Sequence, residues 1–223
     1  MNSFFQAFIF DMDGTIVSTN EDICNSVNYS LEMHGLDKIG YQECQGFLGN
    51  GSVKLIQRAM KGKKTELFQT VFDDYYYHYL ENFNVNTRPY DGLIEALEFC
   101  RSLGILLFIY TNKPEKIALQ IVDKVFPAGL FSKVVGIPLG GITKPDPTSF
   151  IEQTKSFNLD FSKTAYFGDS TTDIQTAHNL KVRTTCSVLW GFQDKKTLQD
   201  YPIQPDIYLD RPEEIRKIAF LTK

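Results

Sequence analysis

The sequence has no excess of positive charge. Its 23 Lys and Arg stand against 27 Asp and Glu, a net charge of −4, so no basic field is available to hold a polyanion. Nucleic acid is therefore not an expected partner. Cysteine is scarce, and Cys24, Cys44, Cys100 and Cys186 form no CxxC pair, which excludes a zinc site or redox motif built from sequence neighbours. They read as reduced, buried thiols. The histidines His34, His78 and His178 have no ligand spacing. No cation precedes Lys38, against the basic start of a secretory leader, and the longest apolar stretch, around Ile105 to Tyr110, is too short to span a bilayer. A cytoplasmic protein without membrane contact is expected. What the chain does have is core material. With 43% hydrophobic residues, 18 Phe and 11 Tyr in 223 residues, it suits one average domain plus an insertion, or one large domain.

Short apolar runs recur with helical segments between them. Gln6 to Phe10, Ile105 to Tyr110, Lys133 to Ile137, Thr164 to Phe167 and Thr184 to Leu189 read as buried strands. Leu93, Leu97 and Cys100 keep helical spacing and end at Gly104; Ile117, Ile121 and Val125 do the same before Pro127. This alternation predicts an α/β fold, a Rossmann-like parallel sheet with helices on both faces, whose ligand site lies beyond the carboxyl ends of the strands. Residues 17–86 break the pattern, with amphipathic helices and no convincing strand. Ile23, Val27 and Leu31 step by four, and Phe68, Phe72, Tyr75 and Tyr79 form an aromatic stripe that reads as packing before ligand surface. The expected organisation is a core domain of residues 1–16 and 87–223 with an α-helical cap, 17–86, inserted after the first strand. Leu48-Gly49-Asn50-Gly51-Ser52 reads as a cap loop, and Arg88-Pro89-Tyr90-Asp91-Gly92 as the return to the core.

Four strand ends carry polar groups. The first is Asp11-Met12-Asp13-Gly14-Thr15, whose paired carboxylates invite a cation or a shared proton. An acidic turn is the plain alternative, and a calcium loop fails because Ile16 stands where glycine is required. The second is Thr111-Asn112-Lys113, with Pro114 placed for the first turn of a helix. The third is Lys144, stiffened by Pro145 and Pro147. The fourth is Gly168-Asp169-Ser170-Thr171-Thr172-Asp173, where Asp169 and Asp173, one helical turn apart, can point to one place. Each alone has a plainer reading: an acidic turn for the first, helix capping for the second and fourth, and a solvated loop lysine for the third. None of these explains four successive strand ends equipped for metal-assisted phosphoryl transfer.

In that order these motifs resemble the haloacid dehalogenase superfamily, over essentially the whole chain and in the subclass with an α-helical cap. The Pro-Tyr-Asp-Gly re-entry and Ser187 to Phe192, with Trp190-Gly191, are most similar to phosphoglycolate phosphatase relatives. The resemblance implies a magnesium-dependent phosphatase acting on a small phosphate monoester through an aspartyl-phosphate. It implies Asp11 as nucleophile, Asp13 as general acid and base, and Lys144 as the cation steadying phosphate and nucleophile. It further implies Thr111 and Asn112 as phosphate-binding groups, Asp11, Asp169 and the backbone carbonyl of Asp13 as Mg2+ ligands, and Asp173 as an outer carboxylate. Ser18-Thr19 stands where relatives often have Asp-Ser, and Leu180-Lys181 where they often have Ala-Gly. A sugar-phosphate mutase of the β-phosphoglucomutase type would share every core group, and a catalytically silent binding protein could keep the fold. A dehalogenase would need neither magnesium nor Asp13. Lys54 and Arg58, one turn apart after the Gly49 to Gly51 loop, are candidates to meet a substrate carboxylate, although a solvated helix face is the plainer reading. A monomer or weak dimer is expected.

Overall fold

The computed structural model describes residues 4–49, 51–138 and 141–221. Asn50 of the cap loop lies outside the described residues. The strands are β1 (Ala7–Phe10), β2 (Val17–Ser18), β3 (Arg88–Pro89), β4 (Leu106–Pro114), β5 (Lys133–Ile137), β6 (Thr164–Gly168), β7 (Thr184–Val188) and β8 (Ile207–Leu209). Six of them form one parallel sheet in the order β5-β4-β1-β6-β7-β8. The alternation of strands with helices thus produces the expected α/β architecture.

Neighbouring residues of each strand enter different cores, as the two-residue period of a strand requires. Phe8, Phe10, Leu107, Ile109 and Phe167 belong to one cluster, with α5 (Leu93–Ser102) and α6 (Glu115–Val125) packed against it. Ala7, Ile9, Phe108, Tyr110 and Tyr166 belong to the other, under α7 (Thr148–Thr154) and α8 (Thr171–Leu180). Burial on both faces explains why the strands read as unbroken apolar runs. Phe10 lies opposite Ile109 and Phe167, so the chain just past each strand emerges at one edge of the sheet. All four cysteines are buried and free. Among the described residues no helix is long and apolar enough to cross a membrane.

Between β1 and β3 the chain forms α1 (Asn20–Met33), α2 (Tyr41–Gln45), α3 (Ser52–Ala59) and α4 (Phe68–Asn82). Ile23, Val27 and Leu31 of α1 are buried, as are Val71, Tyr75 and Tyr79 of α4. The expectation of no strand here needs correction, because Val17 and Ser18 pair antiparallel with Pro89 and Arg88. Two-residue strands carry no periodicity, which hid them. Asp22, 2% exposed, fastens the same crossing: it accepts hydrogen bonds from the backbone N–H groups of Asn86 and Thr87 and from Thr87 Oγ1 at 2.8 Å.

Two further differences concern the core. β4 runs on through Thr111, Asn112 and Lys113 to Pro114, and α6 starts only at Glu115, so Pro114 precedes the helix rather than opening it. An irregular register against β5, which resumes at Pro114 opposite Ile137, carries the strand past its apolar run. The sequence does not predict β8, because three apolar residues, lying between α9 (Lys195–Gln199) and α10 (Ile215–Ile218), are too short a run to show a period. Lys181 closes α8 with φ +56°, the left-handed conformation that glycine adopts most easily.

Candidate active site

The carboxyl ends of β1, β4 and β6 and the loop of Lys144 bring the sequence-selected residues to one place. Asp11 leaves β1 with its backbone N–H donating to Phe167 O at 2.9 Å, and its carboxylate receives Lys144 Nζ at 2.6 Å. Lys144 also donates to Asp173 Oδ1 at 2.7 Å and Tyr166 Oη at 3.3 Å. Burial alone would lower the Lys144 pKa, but Asp11 and Asp173 outweigh it and hold the ammonium well above its ordinary value. Asp173 is occupied: besides Lys144 it accepts from Tyr166 Oη and, in a capping box at the start of α8, from Ser170. Asp169 accepts from Phe192 N at 2.7 Å and Thr15 Oγ1 at 3.4 Å.

Asp11, Asp169 and Asp173 are all buried, with ligand atoms within 4.8 Å of one another. Burial pushes the Asp11 carboxyl up to about 7 against the pull of Lys144. Burial, reinforced by Asp173 and Asp11, holds Asp169 well above the usual carboxylate range. Three buried carboxylates facing one ammonium have a surplus of negative charge, and an all-oxygen set of this kind suits a hard divalent cation. The backbone leaves room for them. A Cβ on Gly14, whose φ is +85°, would lie 2.3 Å from Asp169 Oδ2, and one on Gly191 would lie 2.2 Å from Asp169 Cβ.

Asp13 points elsewhere. Its carboxylate receives Lys113 Nζ at 2.8 and 3.0 Å and Thr19 Oγ1 at 2.7 Å, and it lines a cavity under the helical segment. The departure at Thr19 therefore still supplies a hydroxyl, and that hydroxyl holds Asp13. Thr111, 1% exposed, lines the same cavity. Asn112 also lines it, but its side chain grips the lysine loop: Oδ1 accepts from Lys144 N at 2.7 Å, and Nδ2 donates to Lys144 O at 3.4 Å.

The wall contributed by residues between β2 and β3 consists of Ile23, Leu48, Gly49, Gly51, Ser52, Leu55, Tyr75, Tyr76 and Tyr79. The aromatic stripe thus packs and lines at once: Tyr75 and Tyr79 are buried and stacked at 5.9 Å between ring centres, and both face the cavity. Lys54 and Arg58 do not line it; both are exposed, and Arg58 donates to Phe47 O at 3.1 Å. They are the solvated face. Sequence reasoning gave no role to Lys113, Thr19 or Tyr166. Lys113 had a usable signal, because it follows Thr111 by two residues and shares its side of any strand extended past Tyr110.

A parallel α/β sheet with buried carboxylates, a paired lysine and a cavity at its carboxyl edge places the site where enzymes of the Rossmann-like class carry theirs. The family model for haloacid dehalogenase-like hydrolases matches residues 8–187. The chain belongs to that family, and it is an enzyme of the phosphatase branch. A phosphoglycolate phosphatase of Mesorhizobium japonicum is 30% identical over 201 residues, spanning 87% of each chain. One of Agrobacterium fabrum is 29% identical over 206 residues, 91% of this chain and 87% of its own. A crystal structure from Lactobacillus delbrueckii subsp. bulgaricus, provisionally described as a phosphoglycolate phosphatase, superposes with a TM-score of 0.89. It is 27% identical and covers 98% of this chain and 99% of its own.

Proposed function

We propose that this enzyme hydrolyses a small, phosphoglycolate-like phosphate monoester with Mg2+, through an aspartyl-phosphate on Asp11. The observation that carries the reading is the Asp11 carboxylate, buried and held by Lys144 at 2.6 Å with two more carboxylates beside it. Asp11 attacks phosphorus, and the bond to the ester oxygen breaks. Asp13 gives that oxygen a proton, then takes one from the water whose oxygen releases phosphate and restores Asp11. Lys144 balances the charge of nucleophile and phosphate, Thr111 offers its hydroxyl to the phosphate, and Asn112 keeps the Lys144 loop in place. Asp11, Asp169 and the Asp13 backbone carbonyl would hold Mg2+, and Asp173, engaged by Lys144, Tyr166 and Ser170, would stand behind them. When bound, the metal would neutralise charge on the phosphate oxygens. Residues 17–86 act as a cap on the core of residues 1–16 and 87–223, excluding water and selecting the leaving group. We infer that the enzyme acts on a free metabolite in the cytoplasm as a monomer or weak dimer, its net charge of −4 offering no field to hold a polyanion.

Steady release of inorganic phosphate from phosphoglycolate with Mg2+, abolished by EDTA and needing no sugar bisphosphate, is the expected result. No turnover of any phosphate ester would overturn the reading, and dependence on a bisphosphate activator would indicate the mutase instead.

Gly191→Ala tests the metal assignment without replacing a ligand. The added methyl would meet Asp169 Cβ at 2.2 Å and Gly14 O at 2.6 Å, so Asp169 or the backbone around it has to shift. Mg2+ affinity by calorimetric titration should fall roughly 10–100-fold, as for other changes to groups that orient ligands. Wild-type affinity in a folded variant would count against Asp169 as a metal ligand.

A further inference from the structure

Lys113 takes no part in the chemistry assigned above, yet it is the one basic side chain lining the cavity among the described residues. Its side chain is 3% exposed, and an ammonium withdrawn that far from water requires partners for its three donors. Among the described residues its ammonium hydrogen bonds all go to the two oxygens of Asp13, at 2.8 and 3.0 Å. The other close neighbour is an aromatic face: the Tyr79 ring centre lies 4.7 Å away. Tyr79 lines the same cavity, and its hydroxyl is buried with no hydrogen-bond partner among the described residues. Beyond the Lys113–Asp13 pair, the wall therefore has spare donor capacity on the ammonium and an unpartnered hydroxyl, which a second anion could receive.

The distances limit what that anion can be. A general acid must come within about 3 Å of the oxygen it protonates. Lys113 Nζ is 2.8 Å from the nearer Asp13 oxygen, so it stands within about 6 Å of the ester oxygen of a bound substrate. A carboxylate one carbon beyond the ester oxygen falls inside that range, at about 3–4 Å by ordinary bond lengths. The phosphate end is served by Lys144, which is paired to Asp11. Lys54 and Arg58 lie outside the cavity and leave Lys113 without a rival there.

We propose that Lys113 is the specificity-determining residue that binds a carboxylate on the leaving alcohol, so that the preferred substrates are phosphate esters of short hydroxy acids. The inference rests on the phosphatase reading and names its substrate class. Asp13 and the substrate carboxylate share the ammonium, the Tyr79 hydroxyl is available as a second donor, and the Tyr75 and Tyr79 rings close the wall against longer leaving groups. A neutral alcohol of the same length would leave the spare donors of Lys113 unmatched, which is how a polar site rejects an analogue that lacks the matching group.

The test compares phosphoglycolate with 2-hydroxyethyl phosphate, which has a hydroxymethyl group in place of the carboxylate, using the Mg2+-loaded full chain. The wild type should prefer phosphoglycolate by roughly tenfold or more in kcat/KM, mainly through KM, the scale of one charge-assisted hydrogen bond. Lys113→Met should erase that preference, while Lys113→Arg, which keeps the charge, should retain part of it. Any slowing that follows from disturbing Asp13 is common to both substrates and cancels in the ratio. Persistence of the preference in a folded Lys113→Met protein would overturn the assignment. So would equal wild-type activity on the two esters, which would leave the phosphatase intact and needs no variant. A wild type that turns over neither would overturn the phosphatase and this inference together.

Discussion

Asp11→Asn is expected to abolish turnover while the metal-free protein loses no stability. The amide is nearly isosteric but is a poor nucleophile, and removing a nucleophile costs several powers of ten in rate. The surroundings explain why the fold should tolerate it. Lys144 keeps Asp173 at 2.7 Å, so the buried ammonium is not stranded. Asp11 itself, raised from 3.8 to about 7 when folded, binds its proton more tightly in the native state than in the unfolded chain. The contribution of Asp11 to stability therefore falls as pH rises from about 4 to about 7, and above 7 the whole penalty of ionising this buried carboxyl is present. Asparagine removes that penalty. At pH 8 in EDTA the variant should melt at or above the wild-type temperature, and added Mg2+ should stabilise it less than it stabilises the wild type. Residual activity above about a hundredth of wild type would exclude Asp11 from covalent catalysis.

Asp13→Asn should behave differently, because the carboxylate faces away from the acidic cluster toward Lys113 and Thr19. The amide oxygen can still accept from both, so the side chain keeps its place. It can no longer give or take a proton. The rate should fall roughly 10²–10⁴-fold, the usual contribution of a general acid and base, with Mg2+ affinity within a few-fold of wild type, since the inferred metal contact is the backbone carbonyl. Single-turnover kinetics and calorimetry separate the two quantities. Weakened Mg2+ binding with an unchanged saturating rate would contradict the assignment.

Much of this enzyme was legible before folding was considered. The strands that became β1, β5, β6 and β7 were readable because sheets buried on both faces leave continuous apolar runs. Their polar ends could be read as a group because parallel strands present their carboxyl ends at one edge. Short elements were not legible. β2, β3 and β8 have two or three residues each, too few for any period, and β4 was cut at Tyr110 because its last residues are polar. That truncation concealed Lys113.

The sequence by itself determined the class of fold and the convergence of acidic strand ends, since these follow from local patterns and from the geometry of parallel sheets; the nucleophile role of Asp11 came from the family resemblance that the motifs carry. Tertiary structure alone decided what each charge faces. Asp173 could have capped α8 and nothing more; the fold sets it against Lys144, 29 residues back, as well. Asp13 and Lys113, 100 residues apart, meet because β1 and β4 are neighbours in the sheet. The exclusion of Lys54 and Arg58 from the cavity was likewise a matter of how α3 is turned, and the inclusion of Tyr75 and Tyr79 of how α4 packs. The physical reason is common to all of these. Chain periodicity tells which side of its own element a residue occupies, but an ion pair or a cavity wall depends on which other element is brought opposite, and long-range burial decides that.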